Sequence, residues 1–95
     1  MYGLIGKMRA APGKRDELVA ILAAVEPMPG CLSYIVALDP DNADAIWITE
    51  VWTDEASHKA SLQIPEVRAA IAKAMPIIAG FDSQTKTVPV GGLGL

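Results

Sequence analysis

Residues 2–10 alternate: Tyr2, Leu4, Gly6 and Met8 fall on one face, and Gly3, Ile5, Lys7 and Arg9 on the other. A period of two predicts a strand from Tyr2 to Ala10, and Pro12-Gly13 breaks it. From Lys14 the spacing changes, with Leu18, Ile21, Leu22 and Val25 at i, i+3, i+4 and i+7. That stripe predicts an amphipathic helix with Arg15, Asp16 and Glu17 near its start, stopped by Pro27, Pro29 and Gly30. Cys31 to Leu38 and Ala45 to Trp52 are rich in β-branched and aromatic residues and predict two more strands. The turn-forming run Asp39-Pro40-Asp41-Asn42 between them predicts a hairpin.

Asp54 suits the N-cap of a short helix reaching Leu62. Pro65 suits the first turn of another, whose stripe is Val67, Ile71, Ala74 and Ile78. Pro76 should bend or end that helix, and Gly80 is expected just beyond its end. A more polar strand is expected from Phe81 to Val88, followed by the tail Gly91-Gly92-Leu93-Gly94-Leu95.

The resulting order is β-α-β-β-α-β, the split βαβ arrangement of the α+β class, with one antiparallel sheet and helices on one face. The third strand is apolar in both parities: Ile46, Ile48 and Trp52 on one side, Trp47 and Val51 on the other. A strand apolar on both sides is buried on both sides, and one helix layer covers one side only. Sheet-to-sheet pairing of two copies supplies the second cover, so a homodimer is expected.

Composition sharpens this picture. The 95 residues are expected to form one domain, 1–95, in which 90–95 are a flexible or partner-contacting tail. Hydrophobic residues make up 52% of the chain, above the roughly 45–50% of ordinary domains, and a partner surface absorbs such a surplus. Eight basic against eleven acidic residues leave a net charge of −3, which argues against nucleic acid as a partner. Lys7, Arg9, Lys14 and Arg15 are expected to form an ordinary solvated edge. The chain opens without a secretory signal pattern and has no membrane-spanning run. With Cys31 as the single cysteine, these features lead to the expectation of a cytoplasmic protein with no membrane partner.

Several chemistries fail on their residues. Asp39, Asp41 and Glu50 sit at positions 1, 3 and 12 of a calcium loop, but Asp44 occupies the obligatory glycine position. No helix follows Gly91-Gly92-Leu93-Gly94 that would turn it into a phosphate cradle. Ser57 beside His58 is adjacency alone. Cys31 is expected to pack as an inert core thiol. Met8, Met28 and Met75 fit either core or pocket lining.

One constellation remains. Glu50 and Trp52 are two residues apart on a strand and share the face of Ile46 and Ile48. His58, the only histidine, lies about one turn into the helix after that strand. The intervening turn can fold it back over both, so that acid, imidazole and indole line one apolar pocket. Tyr34 can offer its hydroxyl to the same pocket or to a backbone group. Each of these residues also has a purely structural reading: Trp52 as core, Glu50 as an ion-pair partner, His58 as a surface residue.

Pro12-Gly13-Lys14, Pro29-Gly30-Cys31-Leu32-Ser33-Tyr34, Glu50-Val51-Trp52 and His58 with Ser61, in this order, cover nearly the whole chain. In these pieces the sequence resembles the antibiotic-biosynthesis monooxygenase (ABM) family of the dimeric α/β-barrel superfamily. The resemblance implies a ferredoxin-like fold, a dimer formed through the sheets, and a pocket between sheet and helices in each subunit. Some members oxygenate phenols, quinols or polyketide aromatics with molecular oxygen and no flavin, metal or haem cofactor. Carried onto this chain, that implies His58 and Glu50 as catalytic residues and Trp52 and Tyr34 as the binders of a small aromatic molecule. A non-catalytic dimeric small-molecule-binding protein is the alternative. Haem-degrading members use an Asn, Trp and His set, and here the only asparagine, Asn42, lies in the hairpin turn.

Overall fold

The computed structural model describes residues 1–95. It contains β1 (Tyr2–Ala10), α1 (Arg15–Ala23), β2 (Cys31–Leu38), β3 (Ala45–Trp52), α2 (Glu55–Ser61), α3 (Pro65–Ala74) and β4 (Ile78–Thr87), with one 3-10 turn, Met75–Ile77, before the last strand. The four strands form one antiparallel sheet in the order β2-β3-β1-β4. This is the α+β, ferredoxin-like arrangement that the alternation and stripe patterns predict.

Register decides what each face carries. Leu4 pairs with Glu50 and Glu50 with Tyr34; Gly6 pairs with Ile48 and Ile48 with Val36; Tyr2 pairs with Trp52. Residues directly opposite one another share a face, so these rows form the inner, helix-covered side. Ile35, Thr49, Ile5 and Thr85 form one row of the outer side. The core lies under the helices: Leu18 of α1, Ala74 of α3, and Ala10, Ile46 and Ile48 from the sheet are buried together.

Local signals explain the helix ends. Asp54 caps α2, its carboxylate accepting from the Ser57 backbone N–H at 2.7 Å. Pro65 opens α3 and Pro76 stops it, the chain tightening into the 3-10 turn. The hairpin turn closes on Asp39, whose Oδ1 accepts from the backbone of Asp41 and Asn42. Its Oδ2 accepts from the Trp47 indole at 2.8 Å. The indole hydrogen bond first, then the backbone one, holds the Asp39 carboxyl down at about 2. No helix is long and apolar enough to cross a membrane.

Three expectations are corrected. Gly80 is no helix terminus: it lies inside β4 opposite Arg9, because the 3-10 turn ends at Ile77 and pairing resumes at Ile78. The fourth strand accordingly spans Ile78–Thr87 rather than Phe81 to Val88. Of the four basic residues expected at a solvated edge, Arg9 and Lys14 are exposed, but Arg15 is not free in solvent. Arg15 donates to the carbonyls of Asp39 (3.3 Å), Asn42 (2.9 Å) and Ala45 (3.4 Å), tying the start of α1 to the β2–β3 hairpin. Arg9 pairs with Asp82 at 2.8 Å and Lys7 with Asp39 at 3.6 Å, while Lys14 stays exposed beside Glu17.

Candidate functional site

The inner face of the sheet is not fully covered. Between β2, β3 and the three helices lies a cavity of about 410 Å³. Its floor is the row that β2 and β3 present, Tyr34, Glu50 and Trp52, and its walls are largely aliphatic residues of α1 and α3. The α1 stripe ends in this cavity with Ile21 and Leu22, and the α3 stripe contributes Val67 and Ile71. The apolar periodicity that builds the helices therefore also builds the pocket.

His58 enters from α2. Asp54 caps that helix one turn earlier and so fixes the angle at which it leaves β3. The imidazole stands edge-on to the Trp52 indole, with ring centroids 5.4 Å apart and planes at 66°. The Tyr2 ring also packs against it, at 5.7 Å. Tyr2 and Trp52 are paired across β1 and β3, so the sheet register itself makes the slot that holds His58. Ser61, 4% exposed, also lines the cavity and donates to the His58 carbonyl at 2.6 Å. Gly30 completes the corner at φ +80°, its carbonyl accepting from the Thr53 N–H. A Cβ there would meet Ser57 at 2.6 Å, so only glycine lets β2 begin this close to α2.

The structure brings all four candidate residues, Tyr34, Glu50, Trp52 and His58, to one cavity. Their hydrogen bonds are distributed unexpectedly. Glu50 Oε1 accepts from the Trp52 indole Nε1–H at 3.1 Å, and the imidazole nitrogens make no hydrogen bond within the protein. Trp52 is 1% exposed, a floor residue that fixes the Glu50 carboxylate and backs the His58 ring. The Tyr34 hydroxyl has no protein partner, and no buried side-chain polar atom is left unpaired, so it faces the open cavity. Burial first, then the charges of Glu50 and Cys31, push the Tyr34 phenol up to about 12, so that it is a hydrogen-bond donor at neutral pH. Burial also raises the Cys31 thiol, with Glu50 adding to it, which keeps the sulfur protonated.

Tyr2, Glu26 and Glu66 are the site residues that sequence reasoning misses. The signal for Tyr2 was its parity on β1, readable only once the strand is paired with β3. No group of His, Cys, Asp or Glu is arranged to hold a metal ion. A second hollow, about 290 Å³, runs along β1 and β4 beneath Phe81 and Gln84, and Glu50 borders it as well.

Comparison with known proteins agrees with this architecture. No curated protein sequence matches the chain. Among solved structures, a candidate antibiotic biosynthesis monooxygenase from Chloroflexus aurantiacus J-10-fl is 63% identical, covering 96% of this chain and 94% of its own, with a TM-score of 0.94. Similarly named proteins from Deinococcus radiodurans (23% identity, 98% and 96% coverage, TM-score 0.77) and Caulobacter crescentus CB15 (22%, 90% and 84%, 0.76) share the fold. The family model for antibiotic biosynthesis monooxygenases matches residues 1–73, the segment that carries α1, the β2–β3 floor and His58. The chain belongs to the antibiotic biosynthesis monooxygenase family.

Proposed function

We propose that this protein is a cofactor-independent monooxygenase acting on a small electron-rich aromatic, a phenol or quinol, and that it works as a cytoplasmic homodimer joined through the outer sheet face. The observation that carries the reading is His58: an imidazole with no hydrogen-bond partner in the protein, packed against two aromatic rings at the edge of a mostly apolar cavity.

Molecular oxygen in its triplet ground state reacts slowly with closed-shell molecules, and an electron-rich anion lowers that barrier by giving up an electron. The protein's task is to make that anion and to keep water from the radical pair. His58 takes the phenolic proton. The Tyr34 hydroxyl donates to a substrate oxygen and orients the ring, and Trp52 backs the imidazole. Glu50, fixed by the indole N–H, lines the same cavity and supplies it with a negative charge. Oxidation of a hydroquinone to a hydroxyquinone places one atom of the oxygen molecule on a ring carbon as a hydroxyl and releases the other as water. It balances with no external reductant.

General-base help is worth roughly 10²–10⁴-fold. His58→Ala is therefore expected to lower hydroquinone-dependent oxygen uptake, followed with an oxygen electrode, by at least about 10²-fold while the oligomeric state stays unchanged. Unchanged uptake would remove His58 from the chemistry. One observation favours a second reading, that of a non-catalytic binding protein: no carboxylate hydrogen-bonds to the imidazole, since Glu50 is engaged by Trp52. Ligand binding by the wild-type protein without any oxygen uptake would select it.

A further inference from the structure

The cavity is one-sided in charge. Three carboxylates line it, Glu26, Glu50 and Glu66, and no lysine or arginine does. None of the three takes part in an ion pair, whereas Glu55, also on the helix that carries His58, is paired with both Lys59 and Lys86. Glu26 and Glu66 are exposed and Glu50 is half-buried in the floor, so negative charge stands at both the entrance and the base.

A second feature has the same sign. α1 ends at Ala23 with no basic residue in its last turn, and Ala24, Val25 and Glu26 beyond it form part of the cavity lining. The last carbonyls of a helix carry partial negative charge, normally offset by a cation. Here an additional carboxylate follows instead. The floor adds aromatic rings, whose faces also attract cations.

Resting on the aromatic-ligand reading above, we infer that this pocket selects by charge: it accepts neutral and, preferentially, cationic aromatics such as amine-bearing phenols, and rejects ligands carrying a carboxylate or phosphate. The cavity supplies the site, and the acids set the sign of what enters it. Haem, with its two propionates, falls in the rejected class.

A unit charge pair about 4 Å apart changes affinity roughly fivefold even in water, so several acids acting together give a measurable spread. The test is calorimetric titration of the full chain at pH 7, low salt and under nitrogen, so that binding is read without turnover. Three ligands share one ring and differ in charge: 4-(2-aminoethyl)catechol, 4-ethylcatechol and 3-(3,4-dihydroxyphenyl)propionate. The amine is expected to bind at least about tenfold more tightly than the propionate, with the neutral compound between them. Glu26→Gln combined with Glu66→Gln, both at exposed positions, is expected to shrink that ratio at least about threefold, as is 1 M salt. Equal affinity for all three ligands, or preference for the propionate, overturns the charge selection and leaves the aromatic site standing. No binding of any of them overturns the aromatic-ligand reading and the charge selection with it.

Discussion

Tyr34 and Glu50 face one another across β2 and β3, and the carboxylate adds to what keeps the phenol protonated. The half-buried phenol near a carboxylate keeps its proton to about 12, against an ordinary value of 10. The sign of the consequence follows from linkage. Below pH 10 neither folded nor unfolded chain ionises this tyrosine, so its contribution to stability is fully present. Between 10 and about 12 the unfolded chain releases the proton while the folded chain retains it, and the contribution is lost as pH rises. The melting temperature of the wild-type protein is therefore expected to fall through this window, and Tyr34→Phe to flatten that part of the fall. Phenolate absorbance should show the late-titrating tyrosine missing from the variant. Loss in the variant of a tyrosine that titrates near the ordinary value of 10, with melting curves that superimpose, would mean that Tyr34 lies in open solvent rather than in a cavity wall. The pairing of Tyr34 with Glu50 was implicit in strand parity. The Trp52–Glu50 hydrogen bond was not, because an i, i+2 pair on a strand is side by side in every sequence and bonded only when the cavity withholds other partners.

At the scale of elements, the sequence was most legible where one local rule decides. Alternation located β1, β-branched and aromatic content located β2 and β3, and a capping aspartate located α2. It was least legible around β4, where Pro76 and Gly80 signalled a stop and the chain made one 3-10 turn before pairing with β1. Pairing to a central strand outweighs a glycine's turn preference, and the partner of that pairing lies some seventy residues away. Arg15 makes the same point. As a helix-start residue it reads as solvated, yet its guanidinium reaches three carbonyls of the β2–β3 turn. That hydrogen bonding fixes how α1, and hence the Ile21 and Leu22 wall of the cavity, sits over the sheet. Hydrogen bonds to a charged group contribute about 1.5–3 kcal/mol. Arg15→Ala is expected to destabilise the protein by roughly that amount in urea unfolding, with weakened aromatic binding accompanying it as the wall loosens. A loss below about 0.5 kcal/mol, typical of surface changes, would mean that the three contacts are incidental.

Across the whole molecule, the inner face of the sheet has its helices and the outer face has no cover in the isolated chain. Only ten of 95 residues are fully buried although 52% are hydrophobic. The outer row runs Ile35, Thr49, Ile5, Thr85, with Ile35 54% and Ile5 37% exposed. Trp47 and Val51 flank it on β3, and Lys7 lies over the Trp47 ring at 5.5 Å. An apolar sheet face of this breadth is what a second copy is proposed to cover. The tail adds to the same side: Thr87 at the end of β4 stands where a side chain at position 3 would, with Pro89 beside it at 3.0 Å, which explains the buried Gly3, and Val90 is left 92% exposed beyond it. Ile5 is central on this face and absent from the cavity lining, so Ile5→Glu separates association from the site. A carboxylate there has water in the single chain and none between two sheets. Wild-type protein at micromolar concentration is expected to sediment with the mass of two chains, and Ile5→Glu with the mass of one, its melting temperature lowered and the inner cavity intact. Wild-type protein sedimenting as a single chain would leave the outer apolar face without its proposed cover, and the surplus of hydrophobic residues would then need another partner.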